Sequence, residues 1–138
     1  MAMALAGTAT AAVPPNIQAV QPSQLDHYWV MTNTALEVDV PNMGTNLDKP
    51  TCSAVTYVIG SDGVTRDIVV RKTIPAGDLA SVAASAVKDM HYAPGADNAV
   101  RAPVFTYLIV PFNLPADKAA RKRITDACSL KGFPDGYR

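Results

Sequence analysis

Cys52-Ser-Ala-Val-Thr-Tyr-Val-Ile-Gly-Ser-Asp-Gly-Val64, followed closely by Asp67-Ile-Val-Val-Arg-Lys-Thr-Ile-Pro75, decides the architecture of this chain. Val55, Tyr57 and Ile59 fall on one face of an extended segment, with Thr56 and Val58 on the other, the two-residue alternation of a strand. Gly60-Ser-Asp-Gly63 supplies residues that tolerate positive φ, and Ile68 and Val70 open a return strand, so the stretch reads as a β-hairpin. Pro75-Ala-Gly77 breaks that strand and Asp78 stands as a helix N-cap. Leu79, Val82, Ala83, Ala86, Val87 and Met90 then recur at helical spacing and form one apolar stripe. Ser81, Ser85, Lys88 and Asp89 take the opposite face, and Tyr92-Ala-Pro94-Gly95 stops the helix. Such a helix must lie across a sheet.

A third strand follows within Pro103-Val-Phe-Thr-Tyr-Leu-Ile-Val-Pro-Phe112. It is apolar on both faces, so one face meets the helix and the other needs a second cover. Proline is accommodated most easily at a sheet edge, and Pro103 and Pro111 bracket this strand. The expectation is an α+β fold: a small antiparallel three-stranded sheet (β-β-α-β), one helix packed across it, and additional terminal helices. Ser23 with Asp26 marks the start of a short helix through Leu25, Tyr28 and Trp29. Leu36, Val38 and Val40 alternate with Glu37 and Asp39 as a half-buried strand, and Pro41 to Pro50 reads as a loop. Pro115 to Ser129 reads as a helix with Ala120, Ile124, Ala127 and Cys128 inward and Gly132 beyond its end.

The chain has 138 residues, of which 49% are hydrophobic and 17% charged, which suits one domain with a true core. Its net charge is zero, so no global field recruits nucleic acid. The distribution is uneven: no Lys or Arg precedes Lys49, whereas Lys118, Arg121, Lys122 and Arg123 cluster near the end. Without aromatic stacking positions, that cluster does not make a nucleic-acid site. No apolar run reaches the ~20 residues needed to span a bilayer.

The N-terminal Ala-rich segment places small residues at Ala9 and Ala11, as a signal peptidase requires, so residues 1–22 read as a signal-peptide remnant and mobile leader. Residues 23–138 then form a single domain with its core at 52–115. Cys52 and Cys128 are the only cysteines. In an oxidising compartment they form one disulfide; otherwise they are two buried thiols.

Catalytic patterns are absent. His27 and His91 are the only histidines, and no HExxH, CxxC, GxSxG, Walker or dinucleotide fingerprint occurs. No metal-ligand spacing is present and no cofactor is called for. The reading is a binding module rather than an enzyme.

The order of these elements resembles the C-terminal domain of the TonB family of periplasmic energy transducers. The likeness rests on the strand ending in Gly-Ser-Asp-Gly63-Val64, the charged-apolar return strand, and the Ala-rich helix with Ala83, Ala86 and Val87. It continues through Met90-His-Tyr92-Ala-Pro94-Gly95 and Arg101-Ala-Pro103-Val104, leading into a strand that ends at Pro111-Phe112. It covers about half the chain. The family's membrane anchor and long Pro-rich linker have no counterpart in these residues, and the Tyr-Pro pair that often begins the family domain is missing. The resemblance therefore implies the binding mode rather than force transmission. That mode is β-strand addition: an extended peptide or partner protein, such as a segment of a TonB-dependent receptor, pairs with an exposed sheet edge. By position the pairing strand is Val104, Phe105, Thr106, Tyr107, Leu108 and Ile109, with Arg101 available to an acidic group on the partner. The expected setting is the periplasm. The alternative is a self-associating periplasmic structural protein, a homodimer closing its own edge, with no transport role.

Overall fold

The computed structural model describes residues 13–33 and 40–138. Its centre is a four-stranded sheet in the order β1-β6-β3-β4, formed by β1 (Gln18–Ala19), β3 (Thr51–Ile59), β4 (Thr65–Ile74) and β6 (Val104–Phe112). A second, two-stranded sheet pairs β2 (Trp29–Met31) with β5 (Tyr92–Pro94). Two helices complete the fold, α1 (Leu79–Lys88) and α2 (Lys118–Ala127). The α+β class is as expected, and the β3-β4-α1-β6 order is the expected β-β-α-β unit. The sheet itself departs from the expected three antiparallel strands. A fourth strand, β1, joins β6 in parallel, which makes the sheet mixed.

The hairpin turn forms because Gly60 and Val64 exchange a main-chain bond at 2.9 Å while the Asp62 carboxylate accepts from the Val64 N–H at 3.1 Å. Gly63 is at φ +78, and a Cβ there would meet the Tyr92 carbonyl at 2.1 Å. Both the left-handed backbone and the close approach of β5 require glycine. The core lies in two layers. Val55, Tyr57 and Ile59 of β3 face Ala83, Val87 and Met90 of the α1 side, together with Trp29, Tyr92 and Val104. Cys52, Ala54 and Val58 face the other way, toward Phe105, Tyr107, Cys128, Leu130 and Phe133. The stripe on α1 is buried as the spacing predicts, and Ser81, Ser85, Lys88 and Asp89 are exposed. Thr65 ties β4 to the end of α1, its hydroxyl donating to the Val87 carbonyl at 2.8 Å.

The second cover is the C-terminal segment. Cys52 and Cys128 form a disulfide with Cα atoms 6.1 Å apart, and Phe133 packs on the rings of Phe105 (5.2 Å) and Tyr107 (4.9 Å). The Lys72 ammonium donates to the Ser129 carbonyl at 3.1 Å, and the Arg71 guanidinium donates to the carbonyl of Tyr137. Arg138 reaches back to the carbonyls of Pro14 (3.0 Å) and Ile17 (2.9 Å).

Several expectations are corrected. Residues 13–22 belong to the fold rather than to a mobile leader, because Val13 and Val20 bury their side chains and Gln18–Ala19 enter the sheet; residues 1–12 lie outside the described residues. The segment expected as a helix through Trp29 is a 3-10 turn over Pro22–His27, and Trp29 opens β2. Asp78 does not cap α1 with its side chain; its carboxylate accepts from the Thr45 N–H at 2.6 Å and fastens the preceding loop. Tyr92–Pro94 is a short strand rather than only a helix stop. Helix α2 is shorter than Pro115 to Ser129 and none of its own residues is fully buried. The strand expected at 35–40 lies outside the described residues except for Val40, which is exposed.

Candidate functional site

The residues expected to pair with a partner lie on β6, and the ladder fixes which main-chain groups they present. Facing residues of an antiparallel ladder alternate between pairs that exchange both hydrogen bonds and pairs that exchange none. Pro111 faces Cys52 and has no N–H to give. Cys52–Pro111, Ala54–Ile109, Thr56–Tyr107 and Val58–Phe105 are therefore the non-bonded pairs. The main-chain groups of Phe105, Tyr107, Ile109 and Pro111 point away from β3. Consistent with this, the Phe105 carbonyl accepts from the Val20 N–H at 2.8 Å on the β1 side.

The edge is thus divided. Val104 and Phe105 are covered by β1, which pairs with those two residues and no further. From Tyr107 to Phe112 no described strand lies alongside β6. This open half offers the N–H groups of Tyr107 and Ile109 and the carbonyls of Tyr107, Ile109 and Pro111. Thr106 and Leu108 point their main-chain groups inward to β3 instead. Side chains are divided as well: Val104, Leu108, Val110 and Phe112 pack toward α1, and Phe105, Tyr107 and Ile109 toward the C-terminal cover. The Thr106 hydroxyl is buried without a hydrogen-bond partner.

Arg101 is not brought to this half. At φ +56 it turns back on the hairpin, its Nε donating to the Ser61 carbonyl at 2.9 Å and its guanidinium lying 5.9 Å from the centre of the Trp29 ring. The open residues begin at Tyr107, about 10 Å beyond the start of β6 at Val104. The Trp29 indole N–H in turn donates to the Ala102 carbonyl at 3.0 Å, which stiffens the entry to the strand.

The opposite edge of the sheet, β4, is built differently. It carries Arg66, Asp67, Arg71 and Lys72, its pairing with β3 shifts register twice, and Asp67 sits at φ +53. Charge and irregularity of this kind discourage pairing with another chain. The open half of β6, Tyr107 to Phe112, bears no charge at all.

Sequence reasoning missed a polar cleft of about 380 Å³ between β1 and the 3-10 turn, lined by Gln18, Gln24, His27, Tyr28 and Asp97 among others. His27 Nδ1 lies 3.4 Å from the Asp97 carboxylate. The turn bearing Asp97 is seated closely, since a Cβ on Gly95 would meet the His27 carbonyl at 2.6 Å. Among the described residues no Ser, Thr, Cys or Lys lines the cleft, and its hydroxyl is that of Tyr28. No group of three or more potential metal ligands occurs among the described residues. A second polar element is internal: the Tyr57 and Tyr92 hydroxyls meet at 2.8 Å between α1 and the sheet. Burial pushes both phenols above their usual range, Tyr57 further through the neighbouring Tyr92.

No helix among the described residues is long and apolar enough to cross a membrane. No family model, curated protein or solved structure matches the chain.

Proposed function

We propose that this chain is an exported, periplasmic protein-binding domain of TonB-like character that pairs an extended partner segment with the open half of β6. The observation that carries the reading is the contrast between the two edges: β4 is guarded by charge and register shifts, whereas Tyr107 to Phe112 is uncharged and unpaired among the described residues. An extended partner would exchange main-chain hydrogen bonds with Tyr107 and Ile109, and half-buried Leu108, Ile109 and Val110 would discriminate its side chains. The disulfide supports an oxidising compartment. The partner we favour is a periplasm-facing segment of a TonB-dependent receptor, which links the domain to outer-membrane transport.

Self-association through the same edge is the second reading, and Pro111 limits it. In a two-fold β6–β6 ladder centred on Ile109, Tyr107 would face a proline with no N–H. A ladder centred one residue earlier would pair only Tyr107 with Ile109 before reaching β1. A separate peptide escapes this constraint.

The test is amide hydrogen exchange at Tyr107 and Ile109 during titration with short peptides copied from such receptor segments. Protection of these two amides supports the reading, provided sedimentation velocity shows no concentration-dependent dimer. Binding without protection at either amide removes it.

A further inference from the structure

Helix α2 has the sequence Lys118-Ala-Ala-Arg-Lys-Arg-Ile-Thr-Asp-Ala127, and it leaves an apolar groove of about 320 Å³ between itself and the ends of β3 and β4. Pro50, Ile74, Pro75, Ala120, Ile124 and Ala127 line the groove, and Arg123 is the only charged residue lining it among the described residues. Ile74 remains 43% exposed although it is large and apolar. This is the composition of a ligand site, a mostly apolar floor with one group to fix orientation. Helix α2 carries more cations than carboxylates, Lys118, Arg121, Lys122 and Arg123 against Asp126. Lys122 pairs with Asp126 at 2.7 Å, while Lys118, Arg121 and Arg123 have no ion-pair partner among the described residues.

We propose that this groove docks an acidic peptide whose apolar side chain fills the cavity while neighbouring carboxylates meet Arg123 and the cations of α2. Charge complementarity selects the occupant: a basic segment would be repelled by the rim, and a neutral one would leave it unanswered. Guanidinium can bind a carboxylate through two parallel hydrogen bonds, which suits Arg123 as the orienting group. The wall of the site depends on the disulfide. None of the residues of α2 is fully buried, and it is fastened at its C-terminal end, where Cys128 is bonded to Cys52 of β3. The disulfide thus anchors the wall of the groove to β3. This site is lined by α2 and by the ends of β3 and β4 rather than by β6, and does not rest on strand addition there.

The test uses the oxidised full chain and a fluorescein-labelled Glu-Glu-Leu-Glu-Glu peptide, read by fluorescence anisotropy at low and at physiological salt. Saturable binding is expected that weakens several-fold as salt rises and at least tenfold in Arg123→Glu or Ile74→Ser. Both substitutions are at exposed positions, and circular dichroism confirms that the variants are folded. A Glu-Glu-Ser-Glu-Glu peptide should bind at least tenfold more weakly, as should a Lys-Lys-Leu-Lys-Lys peptide. Equal binding of the serine peptide would reduce the effect to charge alone and overturn the proposal. Unchanged affinity in Arg123→Glu, preference for dodecanoate over the peptide, or a self-association that Arg123→Glu abolishes would each overturn it too.

Discussion

Removing the Cys52–Cys128 disulfide should cost the fold a large part of its stability. The bond spans 76 positions, and the chain-entropy relation assigns such a loop about 4.5 kcal/mol at 25 °C. Domains of this size are stable by only about 5–15 kcal/mol. Both sulfur-bearing residues are fully buried, so reduction must be carried out in denaturant before refolding. The remaining fasteners of the C-terminal cover, Lys72 on Ser129, Arg71 on Tyr137 and Phe133 on Phe105 and Tyr107, survive reduction and keep the native topology accessible. The expected loss is therefore about 3–4.5 kcal/mol, which lowers the urea midpoint by about 1–3 M. Urea unfolding of the oxidised protein, the reduced protein and the Cys52→Ala/Cys128→Ala variant, followed by tryptophan fluorescence, measures it. The slope should rise in both perturbed forms, because the unfolded chain without the cross-link is more expanded. Midpoints within about 0.3 M of the oxidised protein in both perturbed forms, well below the expected shift of about 1–3 M, would refute the reasoning.

Val87→Asp should lose more than about 4 kcal/mol by burying an unpaired carboxylate against β3 and β4, whereas Lys88→Asp should stay within about 0.5 kcal/mol; thermal melts of the two decide it. Ile109→Pro removes an outward N–H and should abolish partner binding in a folded protein, with Ile109→Ala as the side-chain control, while Val110→Pro breaks an inward bond to β3 and should unfold the sheet; circular dichroism and peptide titration separate these outcomes. The Tyr57 and Tyr92 phenols have folded pKa values above the ordinary value of about 10, so their contribution is complete below that pH and is lost as pH rises through the folded values. Urea midpoints should be insensitive to these groups up to about pH 9.5 and fall above pH 10, and Tyr57→Phe should flatten the fall.

The parts of the fold that the sequence discloses are those with a long, regular pattern. Nine residues of β3 and ten of α1 repeat their periods often enough to assign every face, and both assignments agree with the two core layers. Strand β1 has no such signal. It is two residues long, in a polar segment flanked by prolines, and it joins the sheet because Val13 and Val20 are buried and Ile17 and Ala19 pack on the C-terminal cover. That is tertiary packing, which no local pattern announces. The His27–Asp97 pair was likewise illegible, since it joins residues seventy positions apart through loops. Asp78 shows the reverse case: a residue with the right chemistry for a cap is recruited by Thr45 instead.

Pro111 links the legible part of the site to the rest. The sequence shows the proline and reads it as bracketing the strand, whereas it lies within β6, and alone it leaves open which way each neighbouring N–H points. Once β3 is in register, a single missing donor fixes the alternation along all of β6. Proline in that place costs the internal ladder nothing, because its nitrogen faces outward. It also shortens the outward ladder, leaving only Tyr107 and Ile109 as donors on the open half. An edge with two donors is long enough for a brief extended segment and too short to template indefinite stacking. The same residue that permits β6 to lie inside the fold thereby limits what can be added to it.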